Sequence, residues 1–306
     1  MDYLLILIAV VCITIQFSLS KFYQKKCVKD VKDLLLFVLF SGIVVLIFLL
    51  GLNKFKLSFS KFSFIMAGLN AIVGSLSMIL GIIVVKYGKI SVYTTFMMIG
   101  GMILPYFYGT VFLDEAVTPL KIAGLIILTG SLMATVINKN NTAEKTKKLF
   151  FILCAVIFML NGSISIISKA HQINAEALPT NDFAIWASLF QITFSTVIFF
   201  IYTLFGSKNK REKPENTEPD KSDKPFNFPA RLAVIIAYAV ISCCGGLMQL
   251  FAAKTLPASV LFPLVTGLTI ILTTLAGRVV FKEKISALNY ISLGFTFIGI
   301  VLFSIV

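Results

Sequence analysis

The sequence predicts an all-α integral membrane protein of ten transmembrane helices, arranged as two inverted five-helix repeats (5+5). Three observations carry this. The chain is 58% hydrophobic but only 13% charged, with a mean hydropathy of +0.95, whereas an ordinary soluble domain carries about 25% charge. Apolar windows of helix-spanning length recur evenly from end to end, which leaves no stretch for a separate soluble domain. The second half also repeats landmarks of the first in the same order.

A bilayer core takes roughly 17 to 25 helical residues, and such windows fall at 3–20, 33–52, 62–85, 91–113, 119–137, 149–168, 182–205, 231–253, 258–280 and 286–306. The first is followed by Lys21, Lys25, Lys26, Lys29 and Lys32 without a small-residue cleavage site, so it reads as a retained helix rather than a cleaved signal. On the third, Ala67, Ala71 and Ser75 stand four apart and predict close helix contact. The fourth and ninth carry Pro105 and Pro263, each of which removes a backbone hydrogen bond and makes a hinge candidate. Thr118 before Pro119 reads as the N-cap and first residue of the fifth helix, and Ser286 can cap the tenth in the same way. His171 ends the sixth window beside Lys169 and reads as a solvated loop residue, with a proton relay as the alternative.

Residues 138–148 form a short polar connector that divides a first repeat, 1–137, from a second, 149–306. Within the second, 206–231 holds seven basic and five acidic residues and nothing apolar before Phe226. Such a segment cannot bury enough apolar surface to offset its ordering entropy, so it reads as a disordered loop.

The repeat is visible position by position. A shift of 168 sets Lys86 on Lys254, Ser91-Val92 on Ser259-Val260, Gly109 on Gly277, Glu115 on Glu283 and Thr118 on Ser286. A shift of 148 sets Ser20-Lys21-x-x-Gln24 on Ser168-Lys169-x-x-Gln172, and the longer 206–231 loop accounts for the difference. Five helices is an odd number, so the second copy enters the membrane upside down relative to the first. Inverted repeats of this kind place a site at their interface near the bilayer midplane.

The net charge of +13 resides mainly in connectors between apolar windows, where it serves topology and lipid headgroups rather than nucleic acid. Cys12, Cys27, Cys154, Cys243 and Cys244 show no metal spacing and read as small hydrophobes. The windows contain no paired carboxylates, metal-ligand cluster or nucleophile–base arrangement, so neither an enzyme nor a resident metal or cofactor is expected.

The turns Leu113-Asp114-Glu115-x-x-Thr118 and Phe281-Lys282-Glu283-x-x-Ser286 are each preceded by a Ser-Val pair, and Leu261-Phe262-Pro263-Leu264-Val265-Thr266-Gly267 forms a proline and glycine segment. With the duplication, these residues resemble the drug/metabolite transporter superfamily in its ten-helix EamA-like form, over nearly the whole chain. The resemblance implies a multi-pass protein of a bacterial plasma membrane that moves a small polar or amphipathic metabolite by alternating access. A lipid-carrier or glycolipid translocator and a non-transporting sensor or assembly subunit are the alternatives. Its expected partners are a small-molecule substrate and membrane lipids, with the chain a monomer or homodimer. The four-helix relatives, the small multidrug resistance proteins, carry a glutamate eight residues before a lysine; here Ile13 and Asn161 stand eight before Lys21 and Lys169. That departure argues against carboxylate-driven antiport of cationic drugs.

Candidate solute-binding residues are then the polar side chains inside the windows: Gln16, Asn70, Tyr93, Tyr106, Asn161, Ser165, Gln249 and Thr266. Each could instead hold helices together by hydrogen bonds. The cavity is expected between windows one, three, four, six, eight and nine. Lys86 and Lys254 end windows on opposite sides and could attract an anion, or could snorkel to headgroups. Glu115 and Glu283 read as structural charges at helix starts. The positive-inside rule puts the termini outside, because the connectors after odd-numbered windows hold most of the 27 Lys and Arg residues; the family resemblance implies cytoplasmic termini.

Overall fold

A computed structural model describes residues 2–28, 30–84, 87, 90–138, 148–205, 228–282 and 287–304. Among them lie ten helices and no strand: α1 (Asp2–Cys27), α2 (Val31–Leu52), α3 (Lys61–Val84), α4 (Ile90–Phe112), α5 (Pro119–Asn138), α6 (Lys148–Ile173), α7 (Thr180–Phe205), α8 (Phe228–Thr255), α9 (Ala258–Phe281) and α10 (Ala287–Ser304). Eight are long and apolar enough to cross a bilayer, and α5 and α10 contain shorter apolar stretches, Pro119–Ala134 and Ala287–Phe303. Lipid accounts for the many large apolar side chains left exposed on the outside, Leu7, Ile47, Ile126, Phe200 and Val279 among them.

Local chemistry sets the ends. Asp30 caps α2 by accepting from the Asp33 amide at 3.0 Å, and Thr118 accepts from the Lys121 amide at 3.3 Å as predicted for α5. α1 and α6 run on past their predicted ends at 20 and 168, so Lys21, Lys25, Lys26, Lys169 and His171 are helical rather than connector residues. The i, i+4 bond from Gln24 Nε2 to Ser20 Oγ, at 3.1 Å, helps carry α1 through its polar end. α8 starts at Phe228, so the last four residues of the predicted 206–231 loop are helix. The remainder of that loop, most of the 138–148 connector, Lys86, Glu283 and Ser286 lie outside the described residues.

The packing follows the duplication. α1 packs on α8 and α9 of the other half, while α6 packs on α3 and α4; α2 meets α7, α4 meets α9 and α5 meets α10. Each of these pairings maps onto another, or onto itself, when the halves are exchanged. The first helix of each repeat is therefore inserted into the opposite repeat. At the α4–α6 crossing a Cβ on Gly100 would lie 2.1 Å from the Phe158 carbonyl oxygen, and one on Gly162 would lie 2.7 Å from that of Gly100, so the glycines permit backbone-to-backbone approach. α5 and α10 are tied by Ser292 Oγ donating to the Ser131 carbonyl at 2.6 Å and by a 2.8 Å hydroxyl contact between Ser131 and Thr296. Pro105 and Pro263 sit buried inside unbroken α4 and α9.

The backbone repeats a rarer feature. Asp114 and Lys282, related by the shift of 168, are both left-handed, with φ of 52° and 54°, a conformation most L-residues avoid. The amide of Glu115 returns to the Gly109 carbonyl, and that of Lys282 to the Gly277 carbonyl. The left-handed residue that follows the glycine thus recurs in both halves.

Candidate functional site

Between the halves lies a cavity of about 320 Å³, at the small end of the range for small-molecule sites. Its wall draws on α2, α3, α6, α7, α8 and α9. Polar groups come from Asn70, Ser165, Ser168, Ser242 and Gln249, and the apolar side includes Val45, Leu49, Phe183, Leu250 and Phe262. Ser242 stands midway along α8 and Ala253 close to its end, so the cavity runs from the bilayer middle toward the end where α8 turns into α9. The Asn70 Oδ1 is buried and has no hydrogen-bond partner among the described residues.

The corner between α8 and α9 closes that end. α9 begins after Pro257, which offers no side-chain cap, so its first amides need an acceptor. Glu115 of the first half supplies it: Oε1 accepts from the Ala258 amide at 2.6 Å and Oε2 from the Ser259 amide at 2.7 Å. The last carbonyls of α8 are met in the same fashion by a cation. Lys169, only 4% exposed, donates from Nζ to Ala253 O at 2.8 Å and to Leu256 O at 2.7 Å. Both charges oppose the helix dipoles they face, negative at an N-terminus and positive at a C-terminus. Gly109 is required by this arrangement, because a Cβ there would lie 2.4 Å from Glu115 Oε2.

The loops at the same end are bonded across the halves. Asn53 Nδ2 donates to Asp182 Oδ1, Ser60 Oγ to Glu176 O at 3.3 Å, and the Trp186 indole to Ser58 O at 2.9 Å. Beneath them His171 is fully buried, which corrects its reading as a solvated residue. Its Nε2 lies 2.9 Å from Ser63 Oγ, its Nδ1 lies 3.2 Å from Gln172 Nε2, and its ring stacks on Phe183 at 3.8 Å. Burial follows from the extra turn of α6, which carries the ring inward against α3 and α7.

Of the eight polar residues singled out in the sequence, Asn70, Ser165 and Gln249 come together in the cavity wall. The others lie elsewhere. Asn161 is occupied between helices, donating to Met97 O at 2.8 Å. Gln16 donates to the Tyr238 hydroxyl at 3.4 Å, and the Tyr93 hydroxyl meets Met97 Sδ at 3.8 Å. Tyr106 is buried in the apolar core, and Thr266 is half-buried on α9 outside the wall. Lys254 is exposed, 5.9 Å from the Phe251 ring centroid, and its repeat partner Lys86 lies outside the described residues.

The wall departs from the expected helix set, since α2 and α7 contribute and α1 and α4 do not. Ser168 and Ser242 were missed. Ser168 carried a signal, as part of the repeated Ser-Lys pair, whereas the apolar wall carried none: a leucine facing a cavity and one facing lipid look alike in sequence. Glu115 was assigned correctly to a helix start, but to the wrong helix. A second hollow, about 340 Å³ between α5 and α10, is apolar, and its Ser131 and Ser292 hydroxyls are already bonded across those two helices. No group of three or more possible metal ligands occurs among the described residues.

A family model described as the EamA-like transporter family matches residues 146–305. No curated protein matches. Among solved structures, 28 chains match. One of them, a crystal structure of a protein 14% identical in sequence, aligns over 99% of this chain and 96% of its own with a TM-score of 0.72. At that identity the likeness is one of fold.

Proposed function

The chain belongs to the EamA-like transporter family, and from that premise we propose that it is a secondary transporter or facilitator that carries a small polar or amphipathic metabolite across a bacterial plasma membrane. The observation that carries the reading is the cavity between the halves, lined partly by hydrogen-bonding side chains and partly by apolar ones. Such a mixture gives a solute orientation as well as desolvation. Alternating access then consists of the two halves rocking about the cavity. To open the end described above, that motion must release the α8–α9 corner from Glu115 and part the loops joined by Asn53 and Asp182. By the positive-inside count this end faces outward.

The test is transport itself. Purified protein reconstituted in liposomes is expected to accelerate uptake or counterflow of at least one labelled metabolite from a broad panel, relative to protein-free liposomes. A rate equal to the protein-free background across the whole panel would sink the reading.

A further inference from the structure

We propose that the cavity selects an uncharged solute: on the order of ten non-hydrogen atoms, with an apolar body and at least one amide or hydroxyl group. The inference rests on the transport reading and adds the substrate class.

Charge is the first argument. Apart from the thiol of Cys243, no wall side chain is ionisable. Ionisable residues lie close behind the wall, and four of them are held by protein partners, while Lys254, next to Ala253 of the wall, is exposed. Lys169, next to Ser168 of the wall, is used by the carbonyls of Ala253 and Leu256 at the end of α8. Asp182, next to Phe183, accepts from Asn53. His171, behind the Phe183 ring, is bonded to Ser63 and Gln172. Glu115 is held by two α9 amides. An ion entering the cavity would give up part of its hydration without a charged group in the wall to replace it, a disadvantage on the order of a hundredfold against an uncharged isostere.

Polarity and size give the rest. Asn70 and Gln249 bring amides, and Ser165, Ser168 and Ser242 hydroxyls, to the wall. A solute amide or hydroxyl matches either kind of group. Phe183, Phe262, Leu49 and Leu250 cover its apolar part. At about 30 Å³ per water, a volume near 320 Å³ admits on the order of ten such groups.

Benzamide, benzoate and benzylammonium share one shape and differ in charge, and Cys243 reports on them from the wall. In a chain retaining Cys243 alone, with the other cysteines replaced by alanine, benzamide is expected to slow N-ethylmaleimide labelling at concentrations about a hundredfold below those the two ions require. Asn70→Leu should raise the protecting benzamide concentration about tenfold or more, and Asn70→Asp should shift protection toward benzylammonium. Gln249→Leu supplies a second wall variant should Asn70→Leu fail to fold. Equal or better protection by either ion, or protection by none of the three, overturns the proposal. Benzamide protection without transport of any panel solute would instead sink the transport reading alone, and transport confined to charged solutes would sink this inference alone.

Discussion

Lys169 and Lys21 hold the same place in the two repeats, each after a serine on the first helix of its half, and they differ in their access to water. Lys169 is buried at the α8–α9 corner and gives two hydrogen bonds to helix-end carbonyls. Lys21 is exposed, its ammonium 4.7 Å from the centroid of the Phe281 ring at the far end of α9. Lys169 is enclosed at a helix end, whereas Lys21 reaches the surface. What a lysine contributes depends on whether water reaches it. An ammonium shielded from water and bonded twice is a strong contact, whereas one in solvent is screened.

The largest effect that tests this contrast is Lys169→Met, expected to cost about 3–5 kcal/mol because it breaks a buried charged contact and leaves Ala253 O and Leu256 O without their donor. Lys21→Met should cost less than Lys169→Met, because water screens an exposed ammonium. Unfolding midpoints of the two variants in detergent check this, and equal losses would dissolve the contrast.

Next in size is the glycine that the corner needs. Gly109→Ala pushes against Glu115 Oε2, 2.4 Å from the added carbon, and should cost about 2 kcal/mol by disturbing the charged bonds to α9. Gly130→Ala, with nothing within 4 Å of the added carbon, should stabilise α5 by roughly 0.5–1 kcal/mol. The same unfolding measurement decides, and a neutral Gly109→Ala would mean that Glu115 is not needed where it stands.

The smallest effect concerns the paired left-handed turns. Lys282→Gly should gain about 1 kcal/mol by relieving a φ of 54°, and Asp114→Gly should gain less, since aspartate tolerates that region better. A loss at either position would show that the side chain contributes more than its backbone strain costs.

The turn at Gly109–Glu115 was legible in advance because it is local. Gly109 and Glu115 recur at Gly277 and Glu283, with Lys282 in place of Asp114, and short spacing survives duplication. The site was legible only in part. Asn70, Ser165 and Gln249 stand out as polar residues in apolar helices, but so do Asn161 and Gln16, which bond other helices. Sequence tells that a buried amide needs a partner without telling whether the partner is a carbonyl or a solute.

By itself, then, the sequence determined the ten helices, many of their ends, the duplication and the inversion, because hydrophobicity, capping and an odd helix count act within a segment or between collinear repeats. Only the tertiary structure decided that α1 and α6 cross into the opposite halves, that Glu115 and Lys169 hold the α8–α9 corner, that His171 is buried, and that α2 and α7 wall the cavity. These depend on which faces of distant helices meet. In a membrane, where lipid and protein interior are equally apolar, hydropathy carries almost no record of that choice.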